Sequence, residues 1–118
     1  MPFRGENVEP NEVPSRLRES IKTLREAVGP DIEIMIDNHG RAWASLAIQQ
    51  IRAVEEYNIS FFEEPVPPDN LDALAEVRRN ISGTDLATGE RLFSRWDYRK
   101  LIENQLVDII QPDVCHCG

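Results

Sequence analysis

The sequence predicts an α/β fold in which short parallel strands alternate with helices. Four short apolar runs are separated by segments with helical periodicity, and glycine or proline marks several of the boundaries. Each run is followed within two residues by an acidic side chain. Because parallel strands need a crossover connection, which is usually a helix, the alternation favours a parallel sheet covered by helices.

Four segments have the apolar spacing of an amphipathic helix. In the first, residues 15–28, the apolar side chains that share one face are Leu17, Ile21, Leu24 and Val28. The other helices are predicted at residues 43–57, 67–80 and 94–105. Asp69 is the predicted N-cap of the third helix, and Ser94 with Asp97 has the spacing of a capping box at the start of the fourth.

The predicted strands are the apolar runs between these helices. They cover residues 32–36, 59–62, 85–88 and 107–111. The acids at their ends recur about every 25 residues, which fits successive units of a (β/α)8 barrel. We therefore predict about half of such a barrel over residues 1–118. The competing doubly wound sheet, with a bound dinucleotide, would show a glycine-rich phosphate loop, and no G-x-G-x-x-G occurs.

The composition disfavours several classes of partner. The chain has 118 residues, 41% hydrophobic and 29% charged, with a formal net charge of −8. An acidic surface disfavours binding to nucleic acid and to anionic membranes. The apolar runs are far shorter than the ~20 residues of a membrane span, and residues 1–25 contain no signal-peptide core. Cys115 and Cys117 make a poor disulfide framework, so we expect a cytoplasmic protein.

Three acids are the candidate metal ligands. Asp37, Glu63 and Glu90 follow three successive strands, and the carboxyl ends of parallel barrel strands meet at one rim. Three converging carboxylates repel one another, and a divalent cation removes that repulsion. Oxygen ligands in small number favour Mg²⁺. The alternative for each acid is a helix cap or a solvent-exposed charge.

Four motifs together resemble the enolase superfamily, in its mandelate racemase-like branch. They are "IDNHGR", "FFEEPVPPDN", "TGERLFSRWDYRKLIE" and "IIQPDVCHCG", in order along residues 31–118. Within that branch the sequence is most similar to sugar-acid dehydratases of the galactonate dehydratase type. The resemblance implies that this chain is a partial C-terminal barrel domain, comprising strands three to six with their helices.

The resemblance also implies a role for each strand-end residue. Asp37, Glu63 and Glu90 match the Mg²⁺ ligands on the third, fourth and fifth barrel strands. Asp113 matches the acid on the sixth strand that orients a histidine on the seventh. His39 matches the general acid that protonates the departing hydroxyl. Independently of the family, residues i and i+2 of an extended segment point the same way, so His39 can face the rim with Asp37; the alternative is a surface loop histidine.

The implied reaction is dehydration of an aldonic acid through an enediolate intermediate. The alternatives are a racemase or epimerase of the same branch and a half-barrel without catalytic function. The seventh-strand histidine, the second-strand base and the capping domain of the family have no counterpart in this sequence. We therefore expect the chain alone to be inactive or nearly so, and the full-length protein to bind a small sugar acid and form a homo-oligomer.

Other residues have weaker indications. Glu64 is predicted to support the ligands or the following helix rather than bind metal. Arg41 and Arg91 are expected to neutralise the acidic rim or contact substrate, with surface salt bridges as the equal alternative. The "CHC" triplet at 115–117 lacks the second ligand pair of a zinc site. The aromatic residues predicted in the core are Trp43, Phe61, Phe62 and Trp96.

Overall fold

A computed structural model describes residues 8–117 and has the predicted alternation of strands and helices. The strands are β1 (Ile34–Asp37), β2 (Ile59–Glu63), β3 (Asp85–Thr88) and β4 (Ile109–Ile110). The helices are α1 (Val13–Val28), α2 (Ala44–Val54), α3 (Leu71–Asn80), α4 (Arg95–Glu103) and α5 (Val114–Cys117). Single 3₁₀ turns, Pro10–Glu12 and Glu55–Tyr57, precede α1 and follow α2.

The four strands form one parallel sheet whose spatial order is the chain order, β1-β2-β3-β4. A doubly wound sheet reverses its strand order at a switch point, and this sheet has no such reversal among the described strands. The predicted fold class is therefore confirmed.

The core lies between the sheet and the helices. In register across the sheet, Ile36 is opposite Phe62, and Phe62 is opposite Leu86. Phe62 and Leu86 are fully buried, and from α2 so are Ala47, Ile51 and Val54. Because side chains alternate along a strand, Asp37 and Glu63 must lie on the opposite face of the sheet. The fold thus separates an apolar, helix-covered face from the face that carries the acids.

Several predicted details differ from the structure. The N-cap of α3 is Asn70, whose Oδ1 accepts from the Ala73 N–H at 3.0 Å, and not Asp69. Trp43 and Trp96, predicted to be core residues, are 55% and 63% exposed. Trp96 instead stacks against Arg95 on the outer surface of α4. Apolar periodicity does not predict the burial of isolated aromatic residues at a helix start, where Trp43 is the N-cap of α2 and Trp96 lies in the first turn of α4.

The apolar face of α1 is buried for only part of its length. Leu17 and Ile21 are buried, whereas Leu24 and Val28 are 44% and 36% exposed.

The capping box at the start of α4 is confirmed, with Ser94 and Asp97 bonding each other's backbone. Across residues 8–117, no helix has both the length and the apolar character needed to cross a bilayer.

Candidate functional site

Asp37 and Glu63 are the last residues of β1 and β2, and they lie directly opposite each other in the sheet. The Asn38 N–H donates to the Glu63 carbonyl at 3.0 Å, which continues the parallel ladder past the strand end. Neighbouring residues in a parallel register point to the same side, so the ladder itself brings these two carboxylates together.

Glu90 reaches the same place from a turn after β3. The residue opposite Glu63 is Ala87, so Glu90 lies three residues beyond that register position. Gly89 allows the chain to bend there, with φ +140°. The Glu90 carboxylate then lies 3.5 Å from Nδ1 of His39, whose own loop follows β1.

His39 lies between two of the three acids. Its Nδ1 is 3.7 Å from Oδ1 of Asp37 and 3.5 Å from Oε1 of Glu90. The side chain is 41% exposed, so the imidazole is open to solvent on one side. Its backbone is left-handed, with φ +55°, a conformation that the next residue, Gly40, also adopts. His39 therefore approaches Asp37 through a left-handed turn and not through the extended backbone that the sequence argument assumed, and its role as the general acid stays a prediction.

The electrostatics of Glu63 link the three acids. Burial raises the pKa of its carboxyl group above the ordinary value, and the charges of Asp37, Glu90 and Glu64 raise this pKa further. A side-chain hydrogen bond from Gln111 acts in the opposite direction. The folded chain therefore concentrates negative charge at this rim, which is the situation that a bound cation relieves.

Gln111 is a site residue that sequence reasoning missed. It follows β4, and its N–H donates to the Thr88 carbonyl at 2.9 Å, which places its side chain beside Glu63. Its Oε1 is buried and has no hydrogen-bond partner within the described part of the chain. The available signal was its position at a strand end, the same criterion that identified the acids. Gln111 thus places an amide beside Glu63, where it forms a hydrogen bond to the Glu63 carboxyl group.

The donor set fits a hard divalent cation, since it consists of carboxylate oxygens. Across residues 8–117, however, the compact group of potential ligand atoms is His39, Glu64 and Glu90, all within 4.8 Å of one another. Both oxygens of Glu64 accept hydrogen bonds from Arg91, and its side chain has no exposed surface. We therefore retain Asp37, Glu63 and Glu90 as the predicted ligands, and Glu64 as a residue that supports them.

Arg91 forms an ion pair with Glu64, whose side chain is fully buried, so the alternative of a salt bridge between two surface side chains does not hold for Arg91. The predicted contact with substrate stays a prediction. Its Nε and Nη2 donate to the two oxygens of Glu64 at 3.0 and 2.5 Å, and Nη2 also donates to the His39 carbonyl at 3.2 Å. The hydrogen bond to Glu64 raises the pKa of the Arg91 guanidinium, which stays charged. Arg41 is exposed on the loop after β1.

Asp113 lies at the start of α5, beyond the end of β4. Its Oδ1 accepts from the Cys115 N–H at 2.8 Å, and its Oδ2 is 3.4 Å from Nδ1 of His116. It acts here as a cap of its own short helix, and the predicted role in orienting a histidine of another strand stays a prediction. Cys115 and Cys117 are free thiols, and neither belongs to a cluster of metal-ligand type within residues 8–117.

Gly89 should be the residue of this site least tolerant of a methyl group. A Cβ at Gly89 would lie 2.9 Å from both the Gln111 nitrogen and the Tyr98 hydroxyl oxygen, at φ +140°. The nitrogen is fixed by its bond to Thr88, and the hydroxyl by its 2.7 Å bond to the Gly89 carbonyl. We expect Gly89→Ala to lower the free energy of unfolding by about 2–4 kcal/mol.

Urea denaturation measures this loss, and Gly83→Ala is the matched control. Gly83 also has positive φ, +82°, but nothing lies within 4 Å of the added Cβ. The control isolates backbone strain, which costs about 1 kcal/mol. Equal losses in the two variants would contradict a steric role for the Gly89 turn.

Comparison with known proteins identifies the family. Residues 4–118 match the family described as Enolase C-terminal domain-like. D-gluconate dehydratase of Thermoproteus tenax is 35% identical over 103 residues, which are 87% of this chain and 20% of that protein. The chain thus spans about one fifth of this curated relative.

Two solved structures illustrate the range of similar proteins. A mandelate racemase/muconate lactonizing enzyme-like protein from Rubrobacter xylanophilus is 43% identical, with a TM-score of 0.84 over 94% of this chain and 28% of its own. A racemase from Streptomyces coelicolor with bound magnesium is 28% identical, with a TM-score of 0.83 over 88% of this chain and 29% of its own. Since the family match covers nearly the whole sequence, the chain belongs to the enolase superfamily and is part of its C-terminal barrel domain.

Proposed function

We propose that this chain provides the Mg²⁺ ligands and the general acid for dehydration of an aldonic acid, a hydro-lyase reaction of the galactonate dehydratase type. The observation that carries the proposal is the position of His39 between Asp37 and Glu90, two acids whose charges also act on the partly buried Glu63. Similarity to D-gluconate dehydratase supports the substrate class. Because the chain spans a fifth of that relative, the proposal concerns a polypeptide that also carries the remaining barrel strands and a capping domain.

Each residue of the site has a defined task. Asp37, Glu63 and Glu90 would hold Mg²⁺, which supplies positive charge to stabilise the anion formed when the α-proton leaves the substrate. The base that takes this proton is supplied by the rest of the polypeptide. His39 donates a proton as the β-carbon–oxygen bond breaks, so that the hydroxyl leaves as water. The resulting enol then tautomerises to a 2-keto acid.

A racemase or epimerase is the second candidate, and the Streptomyces racemase, a similar structure, favours it. Such an enzyme also removes the α-proton but returns one without eliminating water. His39 favours dehydration, because elimination needs a proton donor beside the leaving hydroxyl. A half-barrel without catalytic function is the third candidate, and it predicts neither Mg²⁺ binding nor turnover.

Incubation of the full-length protein with a set of aldonic acids in D₂O distinguishes these three candidates. We expect a 2-keto product from one or more of them, dependent on Mg²⁺. His39→Gln should slow elimination about 100-fold while exchange of the α-proton with solvent continues, because the base is unaltered. Exchange or epimerisation without any 2-keto product would contradict the dehydratase. Equal loss of both processes in His39→Gln would contradict its role as the acid.

The remaining attributes follow from the same proposal. We propose a small sugar acid as the partner, with neither nucleic acid nor membrane, in agreement with the net charge of −8. A homo-oligomeric full-length protein in the cytoplasm stays a prediction.

A further inference from the structure

We propose that Arg91 is a positioning residue, which fixes the turn at His39 and Gly40 and thereby places the His39 imidazole beside Asp37 and Glu90. The proposal rests on the proposed function for the role of His39. Its own evidence is the set of contacts that joins the loops after β1, β2 and β3.

The first step is the anchor of Arg91. Its guanidinium donates through Nε and Nη2 to the two oxygens of Glu64, whose side chain is fully buried. A planar guanidinium that makes two parallel hydrogen bonds to a carboxylate is fixed in orientation as well as in position. The remaining donor direction of Nη2 is therefore set by Glu64.

The second step is the contact between Arg91 and the turn. The same Nη2 donates to the His39 carbonyl at 3.2 Å, across 52 residues of sequence. On the other side of this peptide, the Gly40 N–H donates to the Glu64 carbonyl at 2.8 Å. Both polar groups of the His39–Gly40 peptide are thus bound by the pair Glu64–Arg91.

These contacts also enforce an unfavourable backbone conformation at the turn. His39 and Glu64 are non-glycine residues with positive φ, +55° and +41°. Such conformations cost about 1–3 kcal/mol each and persist only where surrounding contacts enforce them. Gly40 adopts φ +64°, and a Cβ there would lie 2.6 Å from Nη2 of Arg91. A side chain at position 40 therefore cannot coexist with the observed guanidinium position.

The variant Arg91→Lys separates positioning from charge neutralisation. Lysine keeps a positive charge for Glu64, so the chain should fold, but one ammonium cannot reproduce the guanidinium fork. We expect the Gly40 amide to exchange with solvent about tenfold faster in Arg91→Lys than in the wild type, as measured by NMR without metal. If Arg91 only neutralises Glu64, Gly40 exchange is unaltered and the proposal is wrong.

A second pair of variants tests the position of the imidazole itself. Mn²⁺ bound in place of Mg²⁺ broadens the ring signals of a nearby histidine, and the chain has two histidines, His39 and His116. At substoichiometric Mn²⁺, the broadening of the His39 ring falls with the sixth power of its distance from the ion, and we expect it to decrease several-fold in Gly40→Ala. The added Cβ would lie 2.6 Å from Nη2 of Arg91 and within 3.3 Å of backbone atoms of Val66 and Pro67, whereas in the control Gly83→Ala nothing lies within 4 Å and the broadening should be unchanged. Unchanged broadening in Gly40→Ala would overturn the positioning role.

The Gly40 exchange measurement and the Mn²⁺ measurement test different claims. If Mn²⁺ broadens nothing near the rim of the wild type, the metal site of the proposed function is wrong, while Gly40 exchange without metal still decides the role of Arg91. In the full-length protein, a positioning role predicts that Arg91→Lys lowers kcat roughly 100-fold with KM little changed, since the ligand and substrate contacts remain.

Discussion

Arg91→Ala is expected to lower the free energy of unfolding by about 3 kcal/mol, the lower end of the range for breaking a buried ion pair. The loss arises because the fully buried Glu64 side chain would lose the guanidinium that donates to both of its oxygens. The lower end applies because the Arg91 side chain is itself 39% exposed, so solvent screens part of the interaction. Urea denaturation, followed by circular dichroism, measures the change.

Two controls decide whether burial is the reason. Arg99 and Glu103 form an exposed i,i+4 pair on α4, with side chains 62% and 58% exposed, so Arg99→Ala should cost less than about 0.5 kcal/mol. The double variant Arg91→Ala/Glu64→Gln removes the unpaired charge and should recover part of the loss. A double variant no more stable than Arg91→Ala would contradict the explanation.

The contrast between Glu63 and Glu64 illustrates what the sequence could predict. Glu63 ends an apolar strand, so alternation along the strand and the parallel register together predict its face and its neighbour Asp37. Glu64 is the next residue, and its burial follows from a positive φ and from an arginine 27 residues away. No local pattern encodes that pairing, which depends on how three loops meet.

Helix caps and surface exposure show the same difference between features that local sequence determines and features that tertiary packing determines. The box of Ser94 and Asp97 is predictable because both partners lie within one turn of chain. The choice of Asn70 over Asp69 depends on where Pro67 and its neighbours direct the chain, and the Asn70 N–H donates to the Pro67 carbonyl at 3.0 Å. The exposure of Trp96 depends on the orientation of α4 against the sheet, which periodicity does not give.

The pH dependence of Glu63→Gln follows from the raised pKa of the Glu63 carboxyl, caused mainly by burial and then by the charges of Asp37 and Glu90. In the unfolded chain this group loses its proton near its ordinary pKa of 4.5. The folded chain keeps the proton to higher pH, so the contribution of Glu63 to stability is fully present below the unfolded pKa. It is lost as pH rises through the raised folded pKa.

Glutamine stays neutral at every pH and therefore removes this loss. Without metal at neutral pH, we expect Glu63→Gln to be at least as stable as the wild type. The difference should vanish in acid, where the wild-type carboxyl is protonated. The exposed Glu33 lies outside the site, and Glu33→Gln should show no such dependence. Urea titrations across a pH series, in the presence of a chelator, measure these differences.

Added Mg²⁺ should reverse the order of the two proteins. Binding to the folded state stabilises it by about 2.7 kcal/mol when the free ion is at 100 times its Kd, and the variant lacks one charged ligand. The wild type should therefore gain stability with Mg²⁺ and become the more stable protein, while Glu63→Gln gains little. If millimolar Mg²⁺ does not change the stability of the wild type, the proposed Mg²⁺ site is wrong. A variant stabilised as strongly as the wild type would show that Glu63 is not one of the ligands, and would point to the compact group of His39, Glu64 and Glu90.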